Sequence, residues 1–178
     1  LPFRRVAKMV YVEVDVLGRI NIDDIEEELI KANGKIKVVT ITGASNVTGY
    51  ITPIHDIARL AHKYGAVIIV DGAQLIAHRE VNLAGNSKDE EIDFLTFSAH
   101  KAYAPFGSGA IVGKKDYLNE EDPFLSGGGC VAGVFDERLI WTAVPEKYCL
   151  QRGACQIKKN ESEINLISTK FEYKKVNK

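Results

Sequence analysis

The feature that most restricts this chain is an unbroken apolar run, Ala66-Val67-Ile68-Ile69-Val70, that ends directly on Asp71. Such a run, rich in β-branched residues, suits a strand of a parallel sheet buried on both faces. Just upstream, Thr52-Pro53 opens a helical stretch that continues to Tyr64 and stops at Gly65, with Thr52 as the expected cap and Pro53 in the first turn. Residues 37–42 (KVVTIT) precede it as a second β-branched run. Strand, helix and strand make one βαβ unit.

The flanking sequence extends this pattern. Residues 6–14 (VAKMVYVEV) alternate apolar and polar side chains, which predicts a strand with one buried face, and a turn follows at residues 15–19. Ile22, Ile25, Leu29 and Ile30 then recur at helical spacing behind early acids, and Asn33-Gly34 closes that helix. Residues 92–98 (IDFLTFS) predict another strand. Only about ten residues separate it from residues 109–112 (GAIV), too few for a helical crossover, so this last strand is expected to run antiparallel.

Composition narrows the function classes. Among 178 residues, 23 Lys and Arg stand against 24 Asp and Glu, a net charge of -1, so no global basic field gathers nucleic acid or anionic membrane. Cys130, Cys149 and Cys155 form an odd set without CxxC spacing, against a disulfide framework or structural zinc. They are expected to be inert, and the reading is of a cytoplasmic, soluble protein whose partners are small molecules or protein. The opening at Leu1 in mid-domain sequence suggests a piece of a longer product.

In open α/β sheets, ligands bind beyond the carboxyl ends of the strands. Three polar clusters fall there: Ser45-Asn46-Val47-Thr48-Gly49, Asp71-Gly72-Ala73-Gln74, and Ser98-Ala99-His100-Lys101. Each alone has a bland explanation: Asp71 as a turn former, His100 as a core histidine, Lys101 as a solvated surface amine. Their order and shared position favour chemistry.

The words SNVTG, AHKYGAVIIVDGAQ, DFLTFSAHKAYAPFGSGAIVG and FLSGGG resemble the class V aminotransferases of the fold type I pyridoxal 5'-phosphate enzymes, especially the cysteine desulfurase and selenocysteine lyase branch. The resemblance implies a three-layer α/β/α large domain, here incomplete, with a mostly parallel sheet and one antiparallel strand. Residues 1–148 would be part of the cofactor-binding domain, and residues 149–178 a divergent, poorly packed tail. Lys101 would carry the cofactor as a Schiff base and shuttle the α-proton. Asp71 would pair with the pyridine nitrogen, Gln74 would hydrogen-bond the phenolic oxygen, and Asn46 would line the cofactor and substrate side. Ser98 and His100 would contact the phosphate or cofactor, while Gly107, Ser108 and Gly109 allow close backbone approach, Pro105 makes a rigid turn, and Tyr103 and Phe106 pack.

The resemblance also implies a small amino-acid substrate, a homodimer in the full-length enzyme and a sulfur-acceptor protein. The family's ring-stacking histidine falls upstream of Leu1, and its carboxylate-binding arginine and sulfur-accepting cysteine belong to a further domain. Desulfuration, transamination and epimerisation share every retained residue. Two other readings stand beside it: a non-catalytic scaffold or binding fragment, and a doubly wound nucleotide-binding domain. The latter lacks both GxGxxG and GxxxxGK[ST] loops.

Overall fold

The computed structural model describes residues 7–104, 107–118, 122 and 130–143, together with the backbone of 119–120 and 164–170. The elements run α1 (Ile22–Ala32), β1 (Val38–Thr42), α2 (Ile54–Lys63), β2 (Val67–Asp71), α3 (Leu75–His78), β3 (Phe94–Ser98), β4 (Ser108–Lys114), α4 (Lys115–Glu120), β5 (Val131–Val134), β6 (Leu139–Trp141) and β7 (Ile164–Lys170). Strands β1, β2, β3, β4 and β7 form one sheet in that order, and β5 and β6 form a separate hairpin. β1, β2 and β3 are parallel, and β4 runs antiparallel to both neighbours. A mostly parallel sheet with one reversed strand is the architecture expected.

The first helix forms where its caps place it. Asn21 Oδ1 accepts from Asp23 N–H at 3.2 Å, and Asn33 ends the helix in the left-handed region at φ 47°. Ile25 and Leu29, one turn apart, are its buried pair. In α2, Ile54, Ile57, Ala58, Leu60 and Ala61 make the buried stripe. Ile57 is fully buried, which stabilises the fold by about 2 kcal/mol.

The sheet is covered unequally. Val39, Ile41, Ile68, Val70, Leu95 and Val112 join the core with α1 and α2. On the opposite face, Val67 and Ile69 are half-buried, and Val38 and Ile111 are 47% and 46% exposed. The expectation that β2 is buried on both faces is therefore corrected to an alternating pattern. Helical cover on that second face is slight among the described residues; Tyr117 of α4 reaches Phe94, with ring centroids 5.7 Å apart.

Two further expectations are corrected. Residues 7–13 form no strand, and Val14 makes only an isolated antiparallel bridge to Ile20. Alternation needs a strand edge to pair with, and here the Asp15 turn closes on itself instead: Asp15 Oδ1 accepts from the N–H groups of Leu17 and Arg19, both at 2.8 Å. Thr52 does not cap α2. Its buried hydroxyl donates to Thr42 O at 2.6 Å, tying the helix entry to the end of β1, and Pro53 occupies the cap position.

The expected tail, residues 149–178, lies outside the described residues except for the backbone of β7, which borders β4. Cys130 is buried, whereas Cys149 and Cys155 lie outside the described residues.

Candidate functional site

Because β1, β2 and β3 are parallel, their carboxyl ends open on one edge of the sheet. Thr42, Asp71 and Thr96 lie in one register row across them. The ladder continues one residue further: Gly43 N–H donates to Asp71 O at 2.8 Å, and Gly72 N–H donates to Thr96 O at 2.7 Å. Glycine at 43 lets α3 approach, since a Cβ there would sit 2.8 Å from Leu75 Cδ2 and 3.2 Å from Val70 Cγ1.

After β1, the chain makes a tight polar loop. Ala44 and Ile51 bridge its base, and Ser45 Oγ accepts from the N–H groups of Val47 and Thr48 at 3.2 and 3.1 Å. Asn46 is exposed on that loop. After β2, Asp71 Oδ1 accepts from Ala73 N–H at 2.9 Å, which forms the turn into α3. No hydrogen bond or ion pair holds the other carboxylate oxygen among the described residues. Gln74 leads into α3, and with Asn46 it lines a crevice of about 320 Å³ between the loop and the helix.

Ser98 closes β3, two residues beyond the level of Asp71. Its side chain makes no capping bond to the 3-10 turn Ala99–Ala102, which carries His100 and Lys101. Tyr103 then reverses the chain at φ 61°, and Ala104 N–H donates to Ala99 O at 3.1 Å. This turn lies beside α3, the helix that Gln74 leads into. Lys101 is exposed and does not line the Asn46–Gln74 crevice. Gly109 sits opposite Ser98, where a Cβ would fall 2.9 Å from Phe97 O; Gly107, at φ 85°, and Ser108 lead into β4. Pro105 and Phe106 lie outside the described residues.

Sequence reasoning passed over His78 and Arg79, which line the same crevice. The available signal was helical spacing, since Gln74 and His78 are four apart and share a face of α3. Among the described residues, no group of three or more His, Cys, Asp or Glu side chains could hold a metal ion. No helix among them is long and apolar enough to cross a membrane.

A family model described as Aminotransferase class-V matches residues 3–154. The chain belongs to the class V aminotransferase family. This class V aminotransferase chain is 34% identical over 142 residues to a cysteine desulfurase of Synechococcus elongatus, covering 80% of this chain and 22% of that protein. It is 35% identical over 142 residues to a cysteine desulfurase of Haloferax volcanii, covering 80% and 32%. The structure is similar to the cysteine desulfurase CsdA from Escherichia coli, with a TM-score of 0.74 at 28% identity, over 84% of this chain and 36% of that one. It also resembles the apo cysteine desulfurase of Thermococcus onnurineus NA1, with a TM-score of 0.72 at 29% identity, over 83% and 36%. The chain thus spans 22% and 32% of the two curated relatives it matches here.

Proposed function

We propose that residues 1–148 are part of the pyridoxal 5'-phosphate-binding domain of a cysteine desulfurase. The supporting observation is the edge shared by Asp71, Gln74 and the Ser98–Lys101 segment, in a chain whose curated relatives are cysteine desulfurases.

The residues present suit the cofactor. Asp71 has one oxygen committed to its own turn, which fixes the side chain, and one left for a protonated ring nitrogen. Gln74 offers an amide to the ring oxygen, and Asn46 borders the substrate side. Ser98 and His100 would hold the phosphate, and Lys101 supplies the exposed amine that would tether the aldehyde. Bound pyridoxal phosphate supplies an electron sink for the α-carbon of an amino acid.

The chain's own residues do the rest. Lys101 would hold and move the proton at the substrate α-carbon. Asp71 would hold the ring nitrogen, and Gln74 and Asn46 would orient the ring and substrate. In the whole enzyme the substrate is cysteine, sulfur passes to an acceptor protein, and two copies assemble in the cytoplasm.

Titration of the chain with pyridoxal phosphate tests the reading. An absorption band that is lost in Lys101→Ala, with borohydride fixing the cofactor's mass on Lys101, supports it. A band unchanged in Lys101→Ala refutes it.

A further inference from the structure

Two tight turns from separate parts of the chain meet at Thr48, two residues from Asn46. The first spans residues 15–19 and closes on itself. Asp15 N–H donates to Arg19 O at 3.0 Å, Gly18 N–H to Asp15 O at 2.8 Å, and Arg19 Nε to Asp15 Oδ2 at 2.7 Å. The second is the 44–51 loop, where Ser45 N–H donates to Tyr50 O at 2.9 Å, Gly49 N–H to Ser45 O at 3.1 Å, and Tyr50 N–H to Thr48 Oγ1 at 3.3 Å. Each turn is held in shape by its own hydrogen bonds.

Their contact is at Gly18. That residue stands at φ 75°, and a Cβ on it would fall 3.0 Å from both Cγ2 and Oγ1 of Thr48. Non-bonded carbon does not settle so close, so the first turn lies against Thr48 only because residue 18 has no side chain. Gly34, at φ 74°, and Gly49, at φ 73°, have nothing within 4 Å of the same position. Backbone conformation alone accounts for those two glycines, whereas Gly18 also carries a contact between distant parts of the sequence. The loop it touches is otherwise exposed: Val47, next to Asn46, is 84% exposed. Such a loop has few buried contacts to order it, and Gly18 supplies one from outside.

We propose that Gly18 is a positioning residue: by bearing on Thr48 it holds the 44–51 loop so that Asn46 keeps its place at the cofactor and substrate side of the site. The assignment rests on the reading of Asn46, Asp71 and Lys101 as cofactor residues. Gly18 acts through Asn46 rather than on the cofactor itself. A side chain at position 18 displaces Thr48 or lifts the 15–19 turn off the loop, and either movement frees the loop at Asn46.

Gly18→Ala and Gly34→Ala place alanine in the same left-handed conformation, but only the first brings a methyl group against a neighbour. Each full chain is titrated with pyridoxal phosphate and the Lys101-dependent band is read. Gly18→Ala should bind about threefold to tenfold more weakly, the size of one lost hydrogen bond, and Gly34→Ala as the native chain does. Asn46→Ala should weaken binding by a similar factor, and Gly18→Ala added to it should cost nothing more. A purely structural role for Gly18 would make the two losses multiply. Thr48→Ala removes both close atoms and leaves Cβ at an ordinary 3.5 Å, so in that background too Gly18→Ala should cost no further affinity.

Hydrogen exchange without cofactor reads the loop separately: the Ser45, Thr48 and Gly49 amides should lose protection in Gly18→Ala and keep it in Gly34→Ala. Equal protection in the two variants, equal loss of cofactor affinity in the two, or losses that multiply with Asn46→Ala would each overturn the assignment. If the native chain gives no Lys101-dependent band, the cofactor reading and the role of Gly18 toward it fall together, while selective loss of protection keeps the loop contact. If the band holds and Gly18→Ala binds as the native chain does, the positioning role alone is wrong.

Discussion

Asp93 Oδ2 lies 2.8 Å from His62 Nε2, which joins the start of β3 to α2 at the end of the sheet away from Lys101. The same oxygen accepts from Ile68 N–H in β2 at 2.9 Å. Lys114 Nζ of β4 stands 2.8 Å from Oδ1 as an ion pair outside hydrogen-bond geometry, and Glu91 Oε2 is 2.9 Å from the same ammonium. One carboxylate, 1% exposed, thus links four elements.

Removing that carboxylate leaves the buried Ile68 N–H without its acceptor and reduces the Lys114 pairing to Glu91. Asp93→Ala should therefore lower unfolding stability by about 3 kcal/mol, the range for breaking a buried pair. Urea denaturation measures it, and a loss below about 1 kcal/mol would show that the cluster is not a structural link.

The same group sets an acid limb. Burial pushes the Asp93 carboxyl up, but Lys114, the Ile68 N–H and His62 together outweigh it and hold the pKa below the ordinary carboxylate range. A depressed folded-state value stabilises the protein above the unfolded-state pKa, near 4, and that stability is lost as pH falls through the folded value. Urea midpoints should drop below about pH 4, and Asp93→Asn should flatten that drop. Identical acid limbs in the two proteins would rule the attribution out.

Gly113 faces Phe94 across the β3–β4 pair, and a Cβ there would fall 2.3 Å from Phe94 Cδ1. Gly113→Ala should cost about 1–3 kcal/mol, because the ring must leave its place against Tyr117. With Phe94→Leu already present the added cost should shrink, a coupling that a double-mutant cycle reads directly.

Asp71→Asn keeps an oxygen for the Ala73 N–H but removes the charge. Thermal stability should change by no more than about 0.5 kcal/mol, as for an exposed site, while pyridoxal phosphate binds more weakly. Weakened binding accompanied by a large stability loss would instead make Asp71 a turn residue.

The strands and helices around the site were legible because they rest on local signals. The 66–70 run announced β2, and the Asn21 and Asn33-Gly34 caps announced α1. The ten-residue gap announced the reversal of β4. Thr52 departs from the expected cap because its hydroxyl can either accept from a local N–H or donate to a distant carbonyl, and only packing brings Thr42 O within reach. Residues 7–13 were misread for the same reason, as alternation says what a strand would bury without supplying an edge to join.

Taken by itself, the amino-acid order determined the parallel βαβ frame and the three polar clusters beyond its strand ends, because periodicity and caps act within a few residues. Tertiary structure alone decided that one sheet face carries the core while the other stays half-open, that Asp93 gathers His62, Ile68 and Lys114, and that Arg79 shares a crevice with Asn46 and Gln74. Those relations join Asp93 to residues 21–31 positions away or set one loop against another helix, and no local rule encodes such distances.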